Sequence, residues 1–292
     1  MHNFTFQILT MLKKFLIPIL LLLSGSCSKD DPNVDEKEST PISSPSFEKA
    51  LVDIGIDSDG IVNGKISTSN IANIVYLPLS DQNITDLSGI ENFSGLKKLE
   101  CFNNQITSLD VSKNKDLKEL NFSNNQLTSI NVSQNTALTS LVCFDNQLTS
   151  LDVSQNIILA TLGCTNNELT SLDVSSNTSL TQLYCSENQL SSLDVSKNTE
   201  LEELFCFDNQ LTSLDVSQNI ALTELYCNDN QLASLDVKNG NNSILIEFNA
   251  MGNNELQCIA IDNEIFANSG NAPYNVWIKD NSAVYSEDCS SR

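Results

Sequence analysis

Residues 96–116 read L-K-K-L-E-C-F-N-N-Q-I-T-S-L-D-V-S-K-N-K-D, and six further blocks of 21 residues follow without an insertion, beginning at Leu117, Leu138, Leu159, Leu180, Leu201 and Leu222. Their shared pattern is L-x-x-L-x-C-x-x-N-Q-L-T-S-L-D-V-S-x-N-x-x. A fixed period of this size is the signature of a solenoid. One block has a single apolar edge and too little area to form a core, so it is stable only when neighbours stack on it. The seven blocks are therefore expected to form one cooperative body.

Each block contains a shorter echo of itself. Leu96, Leu99, Cys101 and Asn104 are followed ten residues later by Ile106, Leu109, Val111 and Asn114. In both halves apolar residues flank one variable position, as in Leu99-Glu100-Cys101 and Leu109-Asp110-Val111. That is the period-2 pattern of a short strand with its outer residues turned inward. Two narrow parallel sheets are expected, one along each side of the coil.

The first half, L-x-x-L-x-C-x-x-N, resembles the leucine-rich repeat, and L-x-x-L-D-V is similar to the short nested 21-residue bacterial class of that family. The resemblance covers about residues 74 to 256. It implies a mostly β solenoid, a right-handed arc with short parallel strands, whose concave face carries the L-x-C strands. It also implies that Asn104, Asn125, Asn146, Asn167, Asn188, Asn209 and Asn230 bond to backbone groups at the turn. The residues agree, because a buried turn leaves amide groups that need partners.

Both ends of the array depart from the pattern, as capping repeats do. Residues 74–95 form a degenerate block with Gln82 in place of the asparagine, and Leu245 to Asn253 belong to another after an expansion around Gly240. Upstream, Phe47, Ala50, Leu51 and Ile54 fall at i, i+3, i+4 and i+7 and are followed by Gly55, a helical stripe with its stop. This helix is expected to plug the open end of the first coil. The organisation read from the chain is a leader at 1–26, a disordered tether at 27–46, an N-terminal cap at 47–73, the solenoid at 74–256 and a C-terminal cap at 257–292.

Lys13 and Lys14 precede an apolar run from Phe15 to Leu23, which ends in Ser24-Gly25-Ser26-Cys27. This is signal-peptide order, and the apolar run is too short to span a bilayer permanently. A cysteine directly after the small residues resembles the lipobox of bacterial lipoproteins, with Ser24 where leucine is commoner. The resemblance implies that Cys27 is diacylated and becomes the mature N-terminus. Ser28-Lys29-Asp30-Asp31 is similar to the export signal of Bacteroidetes-type surface lipoproteins, which implies an outer-membrane protein exposed at the cell surface. The other reading of these residues is the first piece of a solvated tether, rich in Pro, Ser and acidic residues. With Arg292 as the last residue no sorting domain is expected, which suits lipid anchorage.

The nine cysteines separate into three classes. Cys27 is the lipid acceptor. Cys101, Cys143, Cys164, Cys185, Cys206 and Cys227 share one column with Phe122 and Ala250, an apolar inward position where free thiols act as small hydrophobes. Cys258 and Cys289 lie outside the repeats, and an oxidising exterior favours bridging them. Their segment resembles the disulfide-closed C-terminal cap of secreted bacterial leucine-rich repeat proteins.

The single histidine, His2, lies in the leader, so Ser-His-Asp and Cys-His arrangements are excluded from the mature chain. Carboxylates recur in columns instead of converging as unlike groups in one concavity, and no enzyme is expected. No cofactor and no metal ligand set is assigned. Without the leader's lysines the chain carries 13 basic against 37 acidic residues, which disfavours nucleic acid and favours cationic partners. Asp110, Asp152, Asp173, Asp194, Asp215 and Asp236 form an acidic column that solvent, neighbouring hydrogen bonds or bound calcium must relieve. Asp57-Ser58-Asp59-Gly60 lacks the remaining ligands of a calcium loop and reads as a turn.

The first half-coil varies where side chains face out. Before the cysteine the series is Glu100, Asn121, Val142, Gly163, Tyr184, Phe205 and Tyr226, and after it Phe102, Ser123, Phe144, Thr165, Ser186, Phe207 and Asn228. The next column adds Asp145, Glu187, Asp208 and Asp229. Large aromatics left outside a core are characteristic of interaction sites. The expected ligand surface is an aromatic and acidic patch of these residues, centred on Tyr184, Phe205, Phe207 and Tyr226. The alternative is that the rings pack on one another as cross-strand ladders. Three functions stay open: recognition of, or adhesion to, a protein or peptide; capture of a glycan for nutrient uptake; and a calcium-stabilised structural role.

Overall fold

The structure, a computed structural model, describes residues 38–290. Cys27, the leader and the export stretch lie outside the described residues. The described part begins with β1 (Ser39–Pro41), α1 (Pro45–Asp53), β2 (Lys65–Ser67) and α2 (Thr68–Ile71). Ser44 caps α1 by accepting from the Phe47 amide at 3.3 Å, and Pro45 supplies the preset φ of a first helical residue. Phe47, Ala50 and Leu51 are buried, as the stripe predicts, and Gly55 takes the left-handed φ of 75° after the helix. The Phe47 ring lies 5.8 Å from Phe93, so α1 packs on the start of the solenoid.

The tether expected to run to residue 46 gives way at Ser39. β1 pairs antiparallel with β2, Thr40 opposite Ile66, and Ile42 is 1% exposed. The prolines that read as tether end an edge strand at Pro41 and start a helix at Pro45. The buried Glu48 carboxylate ties the following loop to α1, accepting from the amides of Asn63 at 2.8 Å and Lys65 at 3.1 Å.

The first half-coils build one ten-stranded parallel sheet. In spatial order it runs β3 (Tyr76–Pro78), β4 (Lys98–Glu100), β5 (Glu119–Asn121), β6 (Ser140–Val142), β7 (Thr161–Gly163), β8 (Gln182–Tyr184), β9 (Glu203–Phe205), then β11 (Glu224–Tyr226), β13 (Glu247–Ala250) and β15 (Ile278–Lys279). From β3 to β13 the register places like on like, Leu162 beside Leu183 beside Leu204. These central leucines are buried to within a few per cent throughout. An inward leucine of this kind is worth roughly 1.5–3 kcal/mol in burial, the main stabilising term of each coil.

The second half-coils pair as strands only near the C-terminus. β10 (Ser213–Asp215), β12 (Ser234–Asp236), β14 (Cys258–Ala260) and β16 (Val284–Ser286) form a four-stranded parallel sheet. Earlier coils form no strand ladder here, so the expected second sheet along the whole side is shortened. Asparagine amides join the coils on that side instead. Asn156 donates to Val132 O at 3.1 Å and Asn135 O at 2.9 Å, and Asn177 repeats this on Val153 and Asn156 at 3.0 and 2.9 Å.

The asparagine column after the cysteine does what the resemblance implies. Asn167 Nδ2 donates to Cys143 O, Cys164 O and Thr165 O, while its Oδ1 accepts from Leu148 N at 3.0 Å. Between the two columns lie the six thiols of Cys101, Cys143, Cys164, Cys185, Cys206 and Cys227, all free and buried. Burial pushes the Cys164 and Cys227 thiols up to about 12, which makes them inert hydrophobes.

The C-terminal cap joins both sheets through β15 and β16, with α3 (Glu264–Ala267) between β14 and β15. Trp277 fills its centre, donating from Nε1 to Leu245 O at 2.8 Å against the rings of Phe248, Tyr274 and Tyr285. The Cys258–Cys289 disulfide closes it, with the Cα atoms 5.7 Å apart.

Candidate functional site

In each coil the strand spans the third to fifth residues of the block, so the third and fifth side chains share the outer face of the long sheet. The fifth column carries an aromatic ladder. Ring centroids are 5.1 Å apart between Tyr184 and Phe205 and 4.7 Å between Phe205 and Tyr226, at interplanar angles of 64° and 65°. Phe144, from the column after the cysteine, joins at 6.4 Å from Tyr184. It reaches across an intervening coil because that coil carries Gly163, where a Cβ would lie 2.6 Å from Phe144 Cε1.

The expectation of large aromatics standing free of the core needs correction. The rings do point outward, but Tyr184, Phe205 and Phe207 are 3%, 7% and 6% exposed. Parallel strands lie only ~4.8 Å apart, so rings in one column cover each other, as the cross-strand alternative describes. Tyr226 and Phe144 are half-buried and remain accessible at the two ends of the ladder. Phe102 is also half-buried but belongs to the first full coil, remote from the ladder.

Asp145, Glu187, Asp208 and Asp229 share a backbone constraint that spacing alone did not reveal. Their φ values are 51°, 52°, 51° and 53°, and Asn103, Asn124 and Asn166 in the same column are alike. Asn and Asp tolerate this left-handed conformation best after glycine, which explains their abundance here without a ligand. Glu187 is the exception. Amides relieve the column at its start, where Asn124 Nδ2 donates to Asn103 Oδ1 at 2.7 Å and Asn166 Nδ2 to Asp145 Oδ1 at 2.6 Å. Beyond Asn166 three carboxylates follow in succession. Burial first, then the charges of Asp208 and Asp145, raise the Glu187 carboxyl; burial and Asp229 raise Asp208.

The other acidic column is relieved by hydrogen bonds. Asp152 and Asp173 each accept from the amide of the serine two residues on, at 2.9 Å, and Asp215 from Ser217 at 2.8 Å. Hydrogen bonds from Ser154 and Ser175 hold the Asp152 and Asp173 carboxyls below their ordinary range. Among the described residues no group of three or more His, Cys, Asp or Glu is placed to hold a metal ion.

The third column was not singled out from the sequence, although it flanks the same leucine as the fifth and period 2 places it on the same face. Thr161 donates to Gln182 Oε1 at 3.0 Å, Gln182 Nε2 to Glu203 Oε1 at 3.0 Å, and the Tyr184 hydroxyl to Glu203 Oε2 at 2.5 Å. The Tyr226 hydroxyl donates to Glu247 in the same cross-coil sense. Burial, then the bond to Glu203, raises the Tyr184 phenol, so it stays a neutral donor. Beyond Tyr226 the face opens into a pocket of about 360 Å³ lined by Ile246, Glu247, Phe248, Asn249, Val276 and Ile278.

A parallel sheet of stacked 21-residue coils, one inward leucine per strand and an asparagine sealing each turn, decides the architecture. The fold is the leucine-rich repeat solenoid. Solved bacterial leucine-rich repeat structures share it. The functional domain of InlJ from Listeria monocytogenes, which includes a cysteine ladder, is 32% identical at a TM-score of 0.59 over 77% of this chain and 57% of its own. The internalin InlF from Listeria monocytogenes is 23% identical at a TM-score of 0.61, over 73% of this chain and 63% of its own. Internalin C2 from that organism is 20% identical at a TM-score of 0.59, covering 85% and 95%. The chain thus spans less than two thirds of the first two internalins it matches. No family model and no curated protein sequence matches the chain. Among the described residues no helix is long and apolar enough to cross a membrane.

Proposed function

We propose that this leucine-rich repeat solenoid is a non-catalytic recognition module for protein or peptide partners, displayed on the cell surface by a lipid on Cys27. The observation that carries the reading is the outer face of the long sheet from β6 to β15. It is the part of the solenoid whose residues differ from coil to coil, and it combines a ring ladder, a carboxylate column and an open pocket. Unlike side chains on a repeated frame are what specific recognition requires. The ladder favours protein over glycan. Its rings meet at 61° to 65° and bury one another's faces, which leaves edges instead of the flat platforms that sugars stack on.

The test replaces the two accessible ends of the ladder, Phe144→Ser with Tyr226→Ser, in the whole chain. The variant should keep the circular dichroism of the parent and retain the parent's partners roughly tenfold less well in a pull-down. Undiminished retention would remove the sheet face from the proposal. The anchor is tested by labelling with a radioactive fatty acid, which Cys27→Ser should abolish.

A further inference from the structure

The N-terminal end of the long sheet shows what its tyrosine–glutamate pairs hold. There the Tyr76 hydroxyl donates to Glu100, and the Lys98 ammonium lies 3.0 Å from Glu100, 2.9 Å from Glu119 and 5.5 Å from the centre of the Tyr76 ring. Burial pulls the Lys98 pKa down, but its bonds to Glu119 and Glu100 outweigh this and leave it raised. A ring and two carboxylates together satisfy the ammonium electrostatically.

Tyrosine–glutamate bonds to the next coil recur at the far end as Tyr184 with Glu203 and Tyr226 with Glu247, with the two columns exchanged: the tyrosine is now in the fifth column and the glutamate in the third. The charge balance is different there. From Asn198 to Val237 the chain has eight carboxylates and no lysine or arginine. The two lysines that follow are turned elsewhere: Lys238 donates to Glu287 O at 3.1 Å, and Lys279 to Ala283 O at 2.6 Å, 5.2 Å from the Tyr285 ring. Next to the last pair the pocket has walls of Ile246, Val276 and Ile278, exposed by 53%, 51% and 48%.

We infer that this pocket is a subsite for a lysine or arginine side chain of the partner. The aliphatic walls take the stem, and the Tyr226 ring and Glu247 carboxylate take the charged head. Glu247 accepts one bond from Tyr226 and, as a carboxylate, has further lone pairs for a cation. A neutral apolar side chain would bury the carboxylate without compensation, and an acidic one would be repelled. The occupant is therefore a basic segment of a protein. This assignment rests on the recognition reading above and names the chemistry of its partner.

The test uses two probes on the whole chain at low salt, a tetra-arginine peptide and its tetra-citrulline counterpart, which keeps the shape and lacks the charge. Calorimetry should show the citrulline peptide binding at least roughly tenfold more weakly, and Glu247→Gln should weaken tetra-arginine by roughly tenfold. Asp173→Asn, which removes one charge from the other acidic column, should leave affinity unchanged. Equal losses in Glu247→Gln and Asp173→Asn would show diffuse attraction and overturn the subsite, as would equal binding of the two peptides. If partner retention falls with Phe144→Ser and Tyr226→Ser but ignores Glu247→Gln, the subsite fails and the recognition reading stands. If it ignores all three, both fail.

Discussion

Glu187 sits where the backbone wants asparagine. Its φ of 52° is left-handed, and its carboxyl is raised by burial and by Asp208 and Asp145 on either side. Replacing it with Asn, the residue of the equivalent positions Asn103, Asn124 and Asn166, removes both burdens. Glu187→Asn should stabilise the fold by about 1 kcal/mol near neutral pH, read by urea denaturation. The pH dependence has a definite sign. A carboxyl whose pKa is higher in the fold than in the unfolded chain costs stability once it is charged, and the cost is lifted as pH falls through the raised value. The advantage of the variant should therefore shrink in acid. A gap that widened on acidification would contradict the electrostatic part of the account. The constraint at this position was hidden because Asn and Asp suit turns, ligand surfaces and left-handed backbone alike. Only their shared φ separates these causes.

At the scale of one coil, what could be read was whatever occupies a fixed place in the period. Leu162, Cys164 and Asn167 recur at one offset in block after block, so their inward direction and the bonds of the asparagine followed from the pattern. The strand face was half legible. Tyr184 and Phe205 announced themselves by size, whereas Gln182, Glu203 and Glu247 look like ordinary surface residues until the register sets them beside the tyrosines. The burial of the rings was equally hidden, since it depends on which residues meet across coils, Phe144 over Gly163 above all. The two asparagine columns differ in what they carry. Asn167 makes three donor contacts and accepts from Leu148 N, while Asn177 makes two donor contacts and its Oδ1 is buried without a hydrogen bond. Asn167→Ala should therefore cost more than Asn177→Ala, about 3 against about 2 kcal/mol at typical costs per stranded buried group. Urea titration of the two single variants gives the order, and a reversed order would count against the accounting.

For the molecule as a whole, stability is a sum of like coils and the interfaces between them, so the ends decide where unfolding begins. The C-terminal cap holds both sheets and is closed by a disulfide spanning 31 residues of sequence. Cys258→Ala with Cys289→Ala should lower stability by about 3 kcal/mol on the chain-entropy model. Hydrogen exchange should quicken first from β13 onward, and uniform quickening along the array would argue that the cap is not a separate weak point. The asparagine ladders add a direction to this array. Asn125 accepts from Ile106 N and donates to Cys101 O, and Asn135 donates to Val111 O and Asn114 O, all groups of the preceding coil. A coil's backbone is thus completed by side chains that lie some twenty residues further along the chain. Each coil's turn is sealed only once its C-terminal neighbour has docked, so an array that assembles from its N-terminus always carries its one unsealed turn at the growing end.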